Sequence, residues 1–139
     1  MSAEQTRQLI ADYYAAFNRG DMTTFLHLLT EDVVHDINQG HREIGTEAFA
    51  QFMVRMNRNY KEHLTDLVIM ATPDGTRAAA EFVVNGTYIN TDEGLPPARG
   101  QTYVLPAGAF FDIRHGKVAR VTNYYNLQDW VKQVSELSS

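Results

Sequence analysis

The apolar residues of this sequence change their spacing about half-way along the chain, and this change limits the folds that it can adopt. In the N-terminal half, most apolar residues recur every three to four positions, the spacing that gives a helix one buried face. In the C-terminal half, long runs rich in β-branched and aromatic residues are separated by short turns. Helices followed by antiparallel strands predict an α+β fold.

Three helices are expected in the N-terminal half. Ser2 and Gln5 can form a capping box at the start of the first helix, and Gly20 supplies the left-handed residue that ends it. Asp21 and Thr46 are the predicted caps of the second and third helices. The expected buried residues are Leu9, Ile10, Tyr13, Tyr14 and Phe17 in the first helix, Phe25, Leu28 and Leu29 in the second, and Phe49, Phe52, Met53 and Met56 in the third.

Five strands are expected around these helices. The segment "VVHDI" (33–37) is predicted as the opening strand because it is rich in β-branched residues. The other strands are "LTDLVIMA" (64–71), "RAAAEFVVNGTYI" (77–89) with a bulge at Gly86, "QTYVLPAGAFFDI" (101–113) and "VARVTNYYNL" (118–127), and the helix "QDWVKQV" (128–134) closes the chain. A curved sheet wrapped around the first helices would leave a pocket between them.

The composition of the chain limits the partners that the protein can bind and indicates its cellular location. The 139 residues predict one domain over residues 1–139, large enough to bury roughly two-thirds of its unfolded surface. The formal net charge of −5 argues against nucleic acid or an anionic membrane as a partner. No apolar run is long enough to cross a bilayer. The chain has no cysteine, which fits a cytoplasmic location.

The segment "EDVVHDINQGHREIG" (31–45) concentrates titratable side chains beside apolar ones. His35 and Asp36 are neighbours on the opening strand, so they point to opposite faces and only one can face the pocket squarely. Asp36 in an apolar pocket would be a base with a raised pKa, whereas at a strand end it would bind turn amides. His35 in the pocket would itself be a good acid–base group near neutral pH.

Three segments resemble a known family. "YYAAFNRGD" (13–21), "HDINQGHREIG" (35–45) and "LPAGAFFDIRHGKVARV" (105–121) occur in the order seen in ketosteroid isomerase and the SnoaL-like polyketide cyclases of the NTF2-like superfamily. The chain is most similar to proteins called ketosteroid isomerase-related. The resemblance covers nearly the whole sequence. It implies an NTF2-like cone, or cystatin-like roll, in which N-terminal helices pack in a curved, mostly antiparallel sheet around an apolar pocket, commonly in a dimer.

The resemblance also implies three catalytic roles. The isomerase mechanism uses an aspartate base on the first strand, and a tyrosine and a protonated aspartic acid that stabilise the enolate oxygen. Alignment on "NRGD" puts the tyrosine at Tyr13. The position of the protonated acid corresponds to Gly108, which has no donor side chain, so weak or no ketosteroid isomerase activity is expected. The acid–base aspartate of the cyclases corresponds to Asn123, whose amide can orient a substrate oxygen but cannot accept a proton.

The base can be aligned in two ways. Counting forward from Asp21 places it on Ile37, whereas counting back from Gly45 places it on Asp36. The two counts differ by one residue, so this sequence lacks one residue of the family pattern between the two anchors. If the missing residue lies in the loop near Asp32, the buried and exposed faces of the strand are unchanged, and Asp36 is the predicted base. If the deletion lies elsewhere, His35 occupies the pocket instead.

The remaining predictions concern the two faces of the sheet. Glu81, Val83 and Phe111 are assigned to the outer face, where a homodimer is expected to form. His41, His63 and the other histidines lack the spacing of metal ligands, so no metal site is expected. The residues predicted to line the pocket, besides the candidate catalytic residues, are Tyr14, Phe17, Phe52, Phe82, Val84, Phe110, Val121 and Tyr125.

Two functions are compatible with this pattern. One is cofactor-free proton transfer, of the isomerase or cyclase type, on a small, largely apolar, carbonyl-bearing molecule, with Asp36 moving the proton and Tyr13 and Asn123 polarising the oxygen. The other is a non-catalytic module that binds a small ligand or dimerises, since the same fold supports both.

Overall fold

The computed structural model of the protein describes residues 1–135, which form helices and one mixed sheet. The helices are α1 (Ala3–Asn18), α2 (Met22–His27), α3 (Thr46–Asn59) and α4 (Leu127–Ser135). The strands are β1 (Leu29–Asp36), β2 (Arg42–Ile44), β3 (Tyr60–Ala71), β4 (Arg77–Tyr88), β5 (Thr102–Arg114) and β6 (Lys117–Tyr125).

The six strands form one curled, unclosed sheet in the order β2-β1-β6-β5-β4-β3. β1 and β6 run parallel, and every other pair of neighbours is antiparallel. The chain therefore returns to its first long strand only after β5, which brings the segment around residue 35 beside the last strand. The predicted α+β class and mostly antiparallel sheet are confirmed.

Helix α1 lies against the concave side of the sheet and is fixed there by aromatic contacts. The ring of Tyr13 lies 5.6 Å from that of Phe111, and the ring of Tyr14 lies 5.1 Å from that of Phe82. Ile10 and Ala16 lie on either side of Tyr13 on the helix and are both fully buried. Because the sheet curls around this face, the space between α1, α3 and the strands becomes the candidate site.

Two of the predicted helix caps are confirmed and one is wrong. Ser2 and Gln5 form the expected capping box, and the Asp21 carboxylate accepts a hydrogen bond from the Thr24 backbone N–H at 3.1 Å. Helix α3 begins after Gly45, which has a φ of 102° and no side chain to act as a cap. Thr46 instead donates its hydroxyl to the backbone oxygen of Thr30 at 2.9 Å, tying the helix to β1.

Several strand boundaries differ from the prediction. The segment around residues 42–44 forms the short strand β2 rather than a plain turn, and Leu29 belongs to β1 rather than to the second helix. Strand β3 begins at Tyr60, four residues before the predicted start. Gly86 is paired in register on both sides, so the predicted bulge there is wrong; the irregularity in this pair of strands lies between Thr65 and Val68.

The faces of β5 are the reverse of the prediction. Phe111 is fully buried on the concave side, whereas Phe110 is 49% exposed on the outer side, so neither the predicted outer Phe111 nor the predicted pocket-lining Phe110 is right. The strand pairing explains the error, because Phe111 lies opposite Val121 and directly opposed residues share a face. Val121 was assigned to the inner face, and that assignment already required an inner Phe111.

No helix within residues 1–135 combines the length and the apolar character needed to cross a membrane. The cytoplasmic location stays a prediction. The predicted single domain over residues 1–139 also stays a prediction, and its last four residues lie outside the described part of the chain.

Candidate active site

A cavity of about 150 Å³ lies between α1, α3 and the concave side of the sheet. Its wall is mostly aromatic and aliphatic. Six of the residues predicted as lining contribute to it, namely Tyr14, Phe17, Phe52, Phe82, Val84 and Tyr125. The other two predicted lining residues, Val121 and Phe110, do not contribute to it: Val121 is fully buried in the core, and Phe110 is exposed on the outer side of the sheet.

His35 is the titratable side chain that β1 directs into this cavity. It is 2% exposed, its ring is stacked on Phe49 with 4.1 Å between ring centres, and the edge of Phe52 approaches it at 4.6 Å. Burial lowers the pKa of His35 to about 4, because an imidazolium is costly away from water. The imidazole is therefore neutral at neutral pH, with one nitrogen available to accept a proton.

The ring nitrogens of His35 have no hydrogen-bond partner within residues 1–135. Nδ1 is completely buried, whereas Nε2 is not sealed off from the cavity. Glu43 lies opposite His35 across β1 and β2, and its Oε1 is also buried and unpartnered among the described residues. The negative charge of Glu43 favours the imidazolium and opposes part of the effect of burial.

Asp36 points away from the cavity, so its predicted placement there is wrong. Its carboxylate accepts two hydrogen bonds from Arg42, at 2.6 and 3.0 Å, and a third from the Thr122 hydroxyl at 2.6 Å. The hydrogen bonds from Arg42, supported by Thr122, lower the pKa of Asp36 to about 2, the opposite of the expected rise. Asp36 lies opposite Thr122 in the parallel pairing of β1 with β6, and this register fixes it on the outer face.

Tyr13 and Asn123 both line the cavity. Burial raises the pKa of the Tyr13 phenol well above its usual value, and also that of Tyr14, so both hydroxyls keep their protons and can donate. Asn123 lies on β6 opposite Ala109, facing inward. Neither the phenols nor the Asn123 amide is hydrogen-bonded to another residue within 1–135, which leaves them free for a ligand oxygen.

Glu62 is a cavity residue that the sequence analysis missed. The hydroxyl of Tyr103 donates a hydrogen bond of 2.5 Å to its Oε2, and burial raises the pKa of the Glu62 carboxyl. Gly86 lies opposite Glu62 on β4, and a Cβ there would lie 2.2 Å from the Tyr103 ring. The signal was present in the sequence, because Tyr60, Glu62 and Leu64 alternate as a strand does.

A second, smaller chamber of about 80 Å³ adjoins the cavity. Aromatic residues of β3 and α4, including Tyr60 and Trp130, form part of its wall together with Leu95 and Leu105. The two chambers share Met56, Glu62, Val84 and Tyr125. Glu62 therefore stands where one chamber meets the other.

A metal-binding arrangement is not found in the described part of the chain. Within residues 1–135, no group of three or more histidine, aspartate or glutamate side chains is arranged to hold a metal ion. The polar side chains at the cavity are one imidazole, phenols, the two amides of Asn38 and Asn123, and one carboxyl tied to a phenol, a set better suited to moving protons and binding oxygen atoms.

Comparison with solved structures gives two levels of similarity. A "putative polyketide cyclase" from Pseudomonas putida KT2440 is 65% identical, with a TM-score of 0.92 over 93% of this chain and 97% of that chain. Another from Silicibacter sp. TM1040 is 57% identical, with a TM-score of 0.94 over 98% and 99% of the two chains. An LEH-like epoxide hydrolase from M. tuberculosis, 16% identical with a TM-score of 0.76 over 96% and 91%, shares the fold alone.

The family comparison agrees with the cone-shaped fold. No curated protein matches the chain. The family model described as a SnoaL-like domain matches residues 10–121, a segment that runs from α1 through most of β6 and contains His35, Glu62 and Tyr103. The chain therefore belongs to the SnoaL-like family of the NTF2-like superfamily.

Proposed function

We propose that the protein binds a small, largely apolar, carbonyl-bearing molecule in the cavity and moves a proton on it without a cofactor. The observation that carries this proposal is His35, a buried neutral imidazole whose nitrogens have no partner within residues 1–135. Leaving a buried polar group unpaired costs about 1–3 kcal/mol, so the arrangement is easiest to understand if a ligand completes it. The apolar wall supplies affinity for the rest of the molecule.

The proton transfer follows from the chemistry of the cavity. With its proton on Nδ1, His35 has a lone pair on Nε2, which removes a proton from the carbon next to the ligand carbonyl. The electrons of the broken C–H bond move to the carbonyl oxygen, where the Tyr13 hydroxyl stabilises the enolate by donating a hydrogen bond. The imidazolium then returns the proton to another carbon, giving an isomer. Alternatively, the enolate carbon attacks a second carbonyl of the ligand, which gives a ring, and the imidazolium protonates the alkoxide that forms.

Glu43 and Asn123 assist this step in different ways. The charge of Glu43 favours the imidazolium that forms when His35 accepts the proton. The Asn123 amide holds the ligand oxygen in place without itself exchanging a proton. Asp36 has no part in the step, because its carboxylate is ionised and bound to Arg42 on the outer face.

The size of the cavity restricts the ligand. A cavity of about 150 Å³ compares with one that holds a single benzene ring in other proteins. The adjoining chamber of about 80 Å³ extends this to a two-ring molecule, but not to a four-ring steroid. Gly108 also supplies no side-chain donor, so we expect little or no turnover of a ketosteroid.

The test uses α-tetralone, a two-ring ketone, with exchange of its α-protons followed by NMR in D₂O. We expect exchange faster than in buffer, and inhibition by α-naphthol, a planar mimic of the enol. Exchange at the buffer rate, with α-tetralone demonstrably bound, would eliminate the proton-transfer proposal.

That negative outcome would favour the second candidate, a non-catalytic module that binds a small ligand. One observation supports it: with a pKa of about 4, His35 is a weak base, and proton transfer is most efficient when the pKa lies near the working pH. A ligand carbonyl bound by Tyr13 and Asn123 would then be held and not converted.

We also propose that the protein forms a homodimer through the outer face of the sheet. Large apolar side chains are exposed there, namely Val104 at 58%, Phe110 at 49% and Tyr124 at 57%. The rings of Phe110 and Tyr124 lie 5.8 Å apart and form one patch. Exposed apolar patches commonly mark protein–protein contacts, and an isologous contact of this face with itself gives a closed dimer.

A further inference from the structure

The junction between the two chambers is built around a single carboxyl group. Glu62 lines both chambers, and the other residues that they share are Met56, Val84 and Tyr125. A carboxyl among such side chains is expensive to bury and gives no stability that a leucine would not provide. Its presence therefore calls for an explanation other than packing.

The surrounding structure holds this carboxyl in one orientation. The Tyr103 hydroxyl donates to Oε2 at 2.5 Å, and Gly86 leaves the space that the Tyr103 ring occupies. Any larger residue at Gly86 would displace the ring, because even a Cβ would lie 2.2 Å from it. Oε1 has no hydrogen-bond partner within residues 1–135, which leaves this oxygen free for a group inside the chambers.

The neighbouring titratable groups do not occupy Oε1. Tyr60 donates its hydroxyl to Asp92 at 2.9 Å, and Arg55 lies 3.7 Å from the same aspartate. These groups satisfy one another at the edge of the smaller chamber. The Glu62 carboxyl is desolvated and its one bond is from Tyr103, so burial raises its pKa. Oε1 has no partner among the described residues, so in either protonation state it can accept a hydrogen bond from a ligand hydroxyl.

We propose that Glu62, oriented by Tyr103, is a second polar subsite that binds an oxygen atom at the far end of the ligand from the carbonyl. The ligand is then an apolar two-ring body with an oxygen at each end: a carbonyl beside His35 and a hydroxyl at Glu62. This inference rests on the proposed function for the His35 end, and it adds the substrate class that the cavity selects.

The test compares ligands that differ at one end. The probes are α-tetralone and a hydroxy-α-tetralone whose hydroxyl lies on the ring carbon farthest from the carbonyl, with binding measured by titration calorimetry. We expect the hydroxy ketone to bind wild type about fivefold more tightly, the contribution of roughly one net hydrogen bond. Glu62→Leu should remove this preference, and Glu62→Gln, which keeps a donor and an acceptor, should retain part of it.

Glu81→Gln is the matched control, because Glu81 is an exposed carboxylate on the neighbouring strand β4. It should leave the preference unchanged. A preference that survives in Glu62→Leu would overturn the proposal. Tighter binding of α-aminotetralin than of the hydroxy ketone, lost in Glu62→Gln, would also overturn it, because the subsite would then be one for a cation.

The binding ratio does not depend on catalysis, so the two proposals can fail separately. A preference that needs Glu62, in a protein that exchanges no α-protons, supports the subsite and rejects proton transfer. Exchange of α-tetralone protons without any preference for the second oxygen supports proton transfer and rejects the subsite. Glu62→Leu replaces a half-buried carboxyl with an apolar side chain of similar size, so the variant is expected to fold.

Discussion

The two faces of strand β1 place neighbouring residues in opposite environments. His35 faces inward, is 2% exposed and has no hydrogen-bond partner within residues 1–135. Asp36 faces outward and is bound by Arg42 and Thr122. The comparison teaches that the chemical type of a residue does not identify a site. A titratable group becomes available for chemistry when the fold buries it and leaves it without a partner.

On the outer face of the same sheet, the charged side chains are paired with one another. Beyond Asp36, Arg120 makes two hydrogen bonds to Asp112, at 2.9 and 3.0 Å, and a third to Thr122 at 2.6 Å. Arg77 approaches Asp112 from β4 at 2.8 Å. Each carboxylate in this network is hydrogen-bonded to an arginine, which lowers the pKa of Asp36 and of Asp112. Such carboxylates are poor bases, so the network is better explained as part of the surface structure.

The largest expected effect separates the two neighbours directly. If His35 is the proton acceptor, His35→Gln should slow α-proton exchange of α-tetralone by at least about 10²-fold, the usual contribution of a general base. Asp36→Asn should change the rate by no more than about twofold, because its carboxylate does not reach the cavity. Exchange rates are measured by NMR in D₂O at equal protein concentrations. A large loss in Asp36→Asn with little change in His35→Gln would reverse the assignment.

Sequence reasoning predicted the fold class because it depends on patterns that repeat over many residues. The helical spacing around Tyr13 and the long alternating strands each contain several independent signals. The faces of single strands were less secure, since a shift of one residue exchanges the two faces completely. Both the choice between His35 and Asp36 and the choice between Phe110 and Phe111 depended on such a shift.

Glu62 illustrates a different limit. Its position depends on where β3 begins, and strand ends are weakly encoded in local sequence. Its importance depends on Tyr103 and Gly86, which are distant along the chain and meet it only through the pairing of three strands. No local pattern around residue 62 could show that a tyrosine 41 positions later would bind this carboxyl.

The second-largest expected effect is on the free energy of unfolding, which the buried and unpaired His35 makes dependent on pH. The folded pKa of His35 is about 4 and its ordinary value is 6.5, so between these pH values the unfolded chain binds a proton that the native protein does not. Stability from this residue is therefore present above about pH 6.5 and is lost as the pH falls towards 4. The loss approaches about 3 kcal/mol if the shift is fully realised.

Urea unfolding at several pH values measures this loss, with His35→Gln as the non-titrating reference. Other groups, including Glu62 and Asp36, contribute to both proteins, so their effects cancel in the difference. We expect the stability of wild type relative to His35→Gln to fall with decreasing pH. A difference that is independent of pH would mean that His35 is solvated, and the contrast with the outer face would disappear.

The third prediction is that the apolar patch on the outer face of the sheet holds the homodimer together. If this face forms the homodimer, Phe110→Asp should raise the dimer dissociation constant at least about tenfold, because it puts a charge into the contact. Val54→Asp is the control, since Val54 is an apolar residue that is 66% exposed on α3. Light scattering across micromolar concentrations gives the result. A monomeric wild type would contradict the proposed dimer.

The smallest expected effect is that of the Asp36–Arg42 pair, although its hydrogen bonds are short. The Arg42 side chain is 59% exposed, so water and salt screen the attraction, and holding two side chains in place costs entropy. A double-mutant cycle with Asp36→Asn, Arg42→Gln and the double variant should give a coupling of about 0.5–1 kcal/mol in urea unfolding. The coupling should shrink in about 1 M salt, which screens the two charges. It should also be lost as the pH falls from 3.8 towards 2, because Asp36 contributes to stability only while its carboxyl is ionised.

The cycle is best measured in the Phe110→Asp background, so that dissociation of a dimer does not enter the unfolding energy. A salt-independent coupling of several kcal/mol would mean that the outer face buries its charges as completely as the inner face buries His35, and the distinction between the two faces would then rest on pairing alone.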